Sequence, residues 1–167
     1  KDESEVIRSF ALLALAELGA PDIQPTILDV LKEKNKHPMW IANAILSLGY
    51  IRPQTEETEK ILRDALMNAD QRIMISAATS LGVAGDFEFM KKILLDANIS
   101  EVIKQKILIS LGEYGGKNEV EILKAYLLLR NSPLRMYAVF GLAKAKFYPV
   151  IHELIQNLEN PDPWIRL

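Results

Sequence analysis

The sequence predicts an all-α right-handed superhelix, built from about five helical hairpins that stack in one array. A glycine that reads as a hairpin turn recurs at Gly19, Gly49, Gly85 and Gly115, and Lys146 takes the same place in a fifth copy. The steps between these turn residues are 30, 36, 30 and 31 residues. Apolar residues between them follow helical spacing, and no segment alternates with the period of a strand. A fixed period of this length is typical of a solenoid of helical hairpins.

Most of the copies also begin with a residue type that caps helices. Such residues satisfy the free backbone N–H groups at a helix start. The predicted caps are Ser4, Asp70, Ser100, Ser132 and Asp162. The copies span residues 4–34, 37–68, 70–97, 100–130 and 132–159, and a sixth begins at 162. We expect residues 1–167 to form a single solenoid that is a fragment of a longer protein.

The helices follow from the same register. They are expected at Ser4–Leu18, Asp22–Lys34, Pro38–Leu48, Glu56–Asn68, Gln71–Leu81, Phe87–Asp96, Val102–Tyr114, Glu119–Arg130, Pro133–Ala145 and Pro149–Leu158. The long second step contains a polar segment with Pro53, which we interpret as a loop insertion. Gly85 and Gly115 are expected at positive φ, the left-handed conformation in which glycine commonly ends helices.

The apolar residues of each helix predict which side is buried. In the first helix the apolar residues at helical spacing are Ile7, Phe10, Ala11, Ala14 and Leu18. Phe10, Phe89 and Phe140 are expected in the core. Mostly small residues stand three positions before each turn residue, and they would let neighbouring helices approach closely. These are Ala16, Leu46, Gly82, Gly112 and Ala143.

Three segments carry a family resemblance: IRSFALLALAELGAPDIQPTILDVL, ISAATSLGVAGDFEFMKKILL and NPDPWIR. They resemble HEAT-like repeats, specifically the short type named for phycobilisome lyases, and the resemblance covers essentially the whole chain. It implies a HEAT-like α-α solenoid in which the second helix of each hairpin lines the concave face. Copy two departs most from the pattern, because His37-Pro38 replaces an aliphatic residue followed by a cation.

Composition and motifs exclude several kinds of chemistry. The chain has no cysteine, which excludes disulfides and cysteine-ligated metal. Its two histidines, His37 and His152, are too few for a closed or catalytic metal site. No Ser-His-Asp set can be assembled, and no phosphate-cradling glycine motif is present. We therefore expect no catalytic residue, no metal and no cofactor, and no run of about 18 apolar residues predicts a membrane span.

The function predicted from this architecture is a non-catalytic scaffold that binds a protein or peptide partner on its concave surface. Residues 1–90 hold 9 Lys and Arg against 14 Asp and Glu, whereas residues 91–146 hold 10 against 5. The second helix of copy four is also unusually apolar. Where the basic segment and the apolar excess meet, we predict a partner-binding patch of Lys91, Lys92, Leu95, Glu121, Ile122 and Ala125. Changing both lysines to Glu is expected to weaken partner binding and leave the melting temperature nearly unchanged.

Two alternative functions remain open at the level of sequence. Nucleic-acid binding would use the basic segment 91–146, through Lys91, Lys92, Lys104, Lys106, Lys117 and Lys124. Dedicated nucleic-acid binders are usually strongly basic, whereas the sequence pI is about 5.8, so nucleic acid is not the expected partner. A tetrapyrrole (bilin) lyase-like activity is implied by the family resemblance alone, since no residue singles out a bilin pocket.

Overall fold

The computed structural model describes residues 2–33, 37–129 and 132–158, and every regular element within those ranges is an α-helix. In chain order the helices are α1 (Asp2–Glu17), α2 (Ile23–Lys32), α3 (Pro38–Leu48), α4 (Glu56–Leu66), α5 (Gln71–Ala84), α6 (Phe87–Leu95), α7 (Glu101–Tyr114), α8 (Lys117–Leu127), α9 (Pro133–Lys144) and α10 (Val150–Leu158). The expected all-α series of helical hairpins is confirmed. The start of a sixth copy at Asp162 lies outside the described residues.

The helices form two compact units, Lys1–Asp86 and Phe87–Leu167. In the first unit α1 packs against α3 and α3 against α5, while α2 packs on α3 and α4 on α5. In the second unit α7 packs against α9, and α8 covers α9. In each unit, the first helices of successive hairpins therefore lie side by side, and the second helices pack on them. This is the packing expected of stacked hairpins.

The predicted caps explain where several helices begin. The Asp70 carboxylate accepts a hydrogen bond from the Arg72 backbone N–H at 2.9 Å and starts α5. The Arg72 guanidinium also binds this carboxylate, which lowers the pKa of Asp70 to about 2. Ser132 caps α9 in the same way, whereas Ser100 stands at the start of α7 without a side-chain cap bond. The side chains of Ser4 and Asp162 lie outside the described residues.

The helix bounds agree with the expected ones within three residues, and two of the larger differences have local causes. Helix α3 has the predicted bounds, Pro38–Leu48. Helix α5 continues to Ala84, because Gly85 ends it in the left-handed conformation with φ of 82°. Helix α8 begins at Lys117 rather than Glu119, because the Glu119 carboxylate accepts a hydrogen bond from the Gly116 N–H and caps the helix from inside its first turn.

The turn residues are not equivalent in conformation. Positive φ is confirmed at Gly85, and Lys146 also adopts it, with φ of 56°. The expectation for Gly115 is wrong, because its φ is −77° and its ψ is 169°. Glycine is required there by space, since an added Cβ would lie 2.5 Å from the Glu119 Cβ and would also overlap the Leu111 carbonyl oxygen.

The buried side of α1 differs from the expected one. The side that contains Ile7, Phe10 and Leu18 is exposed, and these side chains are 68%, 53% and 82% exposed. The buried residues of α1 are Ser9, Leu12 and Ala16. Helix α1 is apolar on both sides, so helical periodicity alone does not identify the side that faces α3. Among the other expected core aromatics, Phe140 is exposed and Phe89 is half-buried.

Small residues bring the first helices into close contact. A Cβ on Gly112 would overlap the backbone of Gly141, so the backbones of α7 and α9 touch there. A Cβ on Gly49 would lie 2.7 Å from the Ser80 Cα, which reports a similar approach of α5 to the end of α3. The predicted close approach is confirmed at Gly112. In copy five Gly141 makes this contact, and the expected residue, Ala143, is exposed.

Buried polar side chains join the same helices. The Asn43 side-chain amide of α3 donates to the Ser9 hydroxyl of α1 at 2.8 Å, and that hydroxyl donates to the Val6 carbonyl at 2.7 Å. The Ser80 hydroxyl of α5 donates to the Ile45 carbonyl of α3 at 2.8 Å. These bonds satisfy polar groups that would otherwise be costly to bury. As for membrane insertion, none of the helices in the described ranges has the length and apolar character that a bilayer span requires.

Candidate functional site

A groove opens in the first unit between the second helices α2 and α4, and its volume is about 330 Å³. Helix α3 forms most of its floor. The apolar lining residues are Leu28, Leu31, Ile41, Ile45, Ile61, Ala65 and Ile73. The polar ones are Lys32, Glu57, Asp64 and Asn68. A groove with apolar walls and a few polar groups at its edge is the usual form of a site that holds a partner's side chains.

The groove forms because each wall helix buries a different side against the first helices. Helix α2 buries Ile27 and Val30, and α4 buries Leu62 and Leu66. The groove-facing Ile61 lies one residue before Leu62 along α4 and is only half-buried. Apolar side chains therefore remain accessible along both walls. Sequence reasoning missed this groove because a half-buried apolar residue has the same signature as a core residue.

The loop insertion before α4 holds that wall in place. The Arg52 guanidinium donates to the Gly49 and Ile51 carbonyls at 2.7 Å and to the Val83 carbonyl at 2.6 Å. The Gln54 amide donates to the Leu48 and Ile51 carbonyls at 2.9 Å. The insertion predicted from the long second step is thus a hydrogen-bonded connection that fixes where α4 begins.

The α4 wall of the groove is acidic. Glu57, Ile61 and Asp64 share one side of α4, since side chains four and seven residues apart lie above one another. Within the described part of the chain, neither the Glu57 nor the Asp64 carboxylate forms a hydrogen bond or an ion pair. The nearby Arg63 binds elsewhere, to Asp86 at 2.8 Å and to Glu59 at 3.2 Å. The hydrogen bond to Asp86, together with the charges of Asp86 and Glu59, raises the pKa of Arg63.

The patch predicted from sequence lies on α6 and α8 of the second unit. Four of its six residues are exposed: Lys92, Leu95, Glu121 and Ala125. Leu95 is the most accessible, at 83%. Ile122 is half-buried, and the side chain of Lys91 is only 26% exposed. Leu128, in the apolar excess at the end of α8, is 81% exposed.

Lys91 is held by two carboxylates rather than presented to solvent. Its Nζ lies 2.8 Å from Glu88 Oε1 and 3.4 Å from Glu119 Oε1. The hydrogen bond to Glu88, with a further one to Glu119, raises the pKa of Lys91. The side chain of Glu119 is 8% exposed, and its other oxygen caps α8 at Gly116. Lys91 therefore links α6 to the start of α8, a role that the sequence does not reveal.

Because of this geometry, the same substitution at Lys91 and at Lys92 is expected to have different effects on thermal stability. Lys91→Glu is expected to lower the melting temperature clearly, because it places a third carboxylate beside Glu88 and the buried Glu119. Lys92→Glu is expected to leave the melting temperature nearly unchanged, because Lys92 is exposed. The measurement is thermal unfolding followed by circular dichroism. Equal melting temperatures for the two variants would contradict the structural role of Lys91.

The remaining basic residues of segment 91–146 are partly neutralised. Lys124 pairs with Glu121 at 2.7 Å and also lies over the Phe147 ring, 4.7 Å from its centroid. Lys144 pairs with Glu113 at 3.5 Å. Of the lysines named for nucleic-acid binding, Lys92 and Lys117 are exposed, whereas Lys104 and Lys106 are half-buried.

The two histidines lie at different helices, one as a helix cap and the other on the surface. His37 caps α3, since its Nδ1 accepts a hydrogen bond from the Met39 N–H at 3.2 Å. His152 is exposed on α10. Over residues 2–33, 37–129 and 132–158, no three His, Cys, Asp or Glu side chains are grouped so that they could hold a metal ion.

Comparison with known families agrees with this architecture. Residues 1–82, which contain α1–α4 and most of α5, match the family model for HEAT repeats. The chain is a HEAT-like repeat protein. The match concerns HEAT repeats in general, so the short type named for phycobilisome lyases stays a prediction. Among curated proteins, none matches this sequence. HEAT repeats commonly mediate protein–protein interactions, and the groove between α2 and α4 lies within the matched part of this HEAT-like chain.

Proposed function

We propose that this HEAT-like protein is a non-catalytic scaffold that holds a peptide segment of a protein partner in the groove between α2 and α4. The observation that carries the proposal is the groove itself, with accessible apolar walls and a volume of about 330 Å³. A space of this size accommodates a few aliphatic or aromatic side chains. Burying such anchors supplies most of the affinity in protein interfaces.

The edge of the groove indicates the chemistry of the partner. Glu57 and Asp64 stand seven residues apart on α4, about 10 Å at the rise of an α-helix. A Lys or Arg that flanks an apolar anchor in the partner can pair with either carboxylate. On the opposite wall the cation Lys32 lies 3.6 Å from Asp29, so its charge is partly offset. The proposed ligand is therefore a peptide with apolar anchors and neighbouring basic residues.

The patch on α6 and α8 remains a second proposed contact. Lys92, Leu95 and Ala125 are exposed there and combine a cation with apolar surface. Lys91 is better assigned to the link between α6 and α8. If a partner binds this patch, Leu95→Asp and Lys92→Glu should each weaken its binding, whereas substitutions in the groove should not.

The groove can be tested with a displayed library of random peptides. Selection against the whole chain is expected to enrich peptides with apolar anchors and adjacent Lys or Arg. For a selected peptide, Glu57→Lys and Asp64→Lys are each expected to weaken binding about tenfold, which is roughly 1.4 kcal/mol. Ile61→Asp should weaken it further. The measurement is fluorescence anisotropy with the labelled peptide.

The matched control is Glu56→Lys, which makes the same charge change one residue away on α4. Glu56 is exposed and does not line the groove, so peptide affinity should change little. The proposal fails if no peptide is enriched. It also fails if the selected peptides bind Glu57→Lys and Ile61→Asp as well as they bind the unmodified protein.

A further inference from the structure

Helix α8 of the second unit matches α4 of the first unit position by position. Both helices have 11 residues. Their third residues, Thr58 and Glu119, are buried and accept a hydrogen bond from the backbone N–H of the N-cap residue. Their seventh residues, Leu62 and Leu123, are both 0% exposed. Residues at equal positions in these two helices can therefore be compared directly.

The neighbouring second helices, α2 and α6, match in the same way. Each ends one residue after a leucine, which is Leu31 in α2 and Leu94 in α6. Four residues before that leucine stands a side chain that is 0% exposed, Ile27 in α2 and Met90 in α6. The groove between α2 and α4 in the first unit therefore has a counterpart between α6 and α8 in the second unit.

A tyrosine fills the counterpart in the second unit. Tyr126, the tenth residue of α8, reaches across to α6, where its hydroxyl donates to the Leu94 carbonyl at 3.2 Å. Leu94 is in the last turn of α6, where backbone carbonyl groups have no partner within the helix. The tenth residue of α4 is Ala65, which lines the groove. The first unit thus lacks the aromatic ring that the second unit supplies from its own chain.

We infer that the partner anchors itself in the groove with a tyrosine, whose ring lies against Ala65 and whose hydroxyl donates to the Leu31 carbonyl. The inference rests on the proposed function and specifies its anchor. Leu31 lines the groove and is in the last turn of α2, so its carbonyl has no partner within the helix. Leu28 and Ile61 line the two walls, and both are half-buried. Tyrosine combines a large apolar ring with a polar end, which suits apolar walls beside a backbone acceptor.

The acidic wall indicates which residue accompanies the tyrosine. Asp64 precedes Ala65 along α4, is exposed, and lines the groove. The corresponding residue of α8 is Ala125, so this charge belongs to the groove and is not shared with the unit that fills its own space. A Lys or Arg beside the tyrosine can pair with the Asp64 carboxylate. The expected recognition motif is therefore a tyrosine with an adjacent basic residue.

The peptides selected from the displayed library test the anchor on the unmodified protein. Enriched sequences are expected to contain a tyrosine next to Lys or Arg. Replacing that tyrosine by Phe should weaken binding about fivefold, because it removes one hydrogen bond between neutral groups. Replacing it by Ala should weaken binding about a hundredfold. Enriched peptides with only aliphatic anchors, or a Phe peptide that binds equally well, would overturn the tyrosine while leaving the groove as a peptide site.

The small molecule p-cresol, which is the tyrosine side chain without its backbone, tests the site independently of any peptide. Added to the whole chain at about millimolar concentration, it is expected to shift the methyl NMR signals of Leu28, Leu31 and Ile61. No shift of these signals up to the solubility limit of p-cresol would overturn the inference. If no peptide were enriched, the proposed function would fail, whereas these shifts would still support a site for a tyrosine side chain.

Ala65→Tyr supplies the anchor from the chain itself, as Tyr126 does in the second unit. The variant is expected to bind the selected peptide about a hundredfold more weakly and to lose the p-cresol shifts. Its melting temperature should not fall, because the new ring takes an empty place. Ala143→Tyr, the same change at an exposed position of α9, should leave peptide binding unchanged. Unaltered peptide affinity in Ala65→Tyr, or a large fall in its melting temperature, would show that the space does not fit a tyrosine.

Discussion

Asn43→Asp is expected to lower the free energy of unfolding by about 3 kcal/mol or more at pH 7, because it buries a charge without a cationic partner. Asn43 is 6% exposed, and its amide donates to the fully buried Ser9 hydroxyl at 2.8 Å. A carboxylate cannot donate this bond. The Ser9 hydroxyl could donate to it only by giving up its own bond to the Val6 carbonyl.

The pH dependence of this variant identifies the cause. Burial raises the pKa of the new carboxyl above its value in the unfolded chain, so the loss of stability is largest above that raised pKa. The loss should shrink as the pH falls through it and vanish below the unfolded pKa of about 3.9. Urea unfolding at several pH values measures this. Asn118→Asp, an exposed control in the first turn of α8, should show no such loss at pH 7.

Gly112→Ala is expected to destabilise the protein by about 3 kcal/mol, the upper range for overpacking a close contact. The added methyl group would overlap the Gly141 backbone, and backbone atoms of two packed helices cannot move aside as a flexible side chain can. Helices α7 and α9 would have to separate. Urea unfolding followed by circular dichroism is the measurement.

Gly85→Ala is the matched comparison, because it tests conformational strain where space is free. No atom lies within 4 Å of an added Cβ at Gly85, and only its φ of 82° opposes a side chain. We expect a loss of about 1 kcal/mol there. If Gly112→Ala costs no more than Gly85→Ala, the close contact of α7 with α9 is wrong.

The order of the helices could be predicted from sequence because the turn residues mark it directly. A glycine or a left-handed Lys146 ends most first helices, and a cap residue starts several of the next copies. These are local signals that need no knowledge of neighbouring helices. The expectation for Gly115 was wrong because a glycine required by space looks the same in sequence as one required by φ.

The buried sides were harder to predict because the first helices are apolar or small nearly all round. In α1 both sides satisfy the helical period, and only the contact with α3 decides between them. The predicted site has the same problem. Lys91 and Lys92 are adjacent residues of the same type. Only the positions of Glu88 and Glu119 in space show that the Lys91 ammonium group is paired whereas that of Lys92 is accessible.

The bond between Asn43 and Ser9 means that the hairpins are not interchangeable modules. The positions aligned with Ser9 in the other copies are Met39, Ile75, Gln105 and Met136, none of which carries a hydroxyl. A rearranged chain in which another hairpin preceded α3 would leave the Asn43 amide without its acceptor. The repeats share a shape, but the contact between α1 and α3 depends on a pair of side chains that the other copies lack. Duplicating or reordering hairpins at this contact would therefore also require substitutions on both helices.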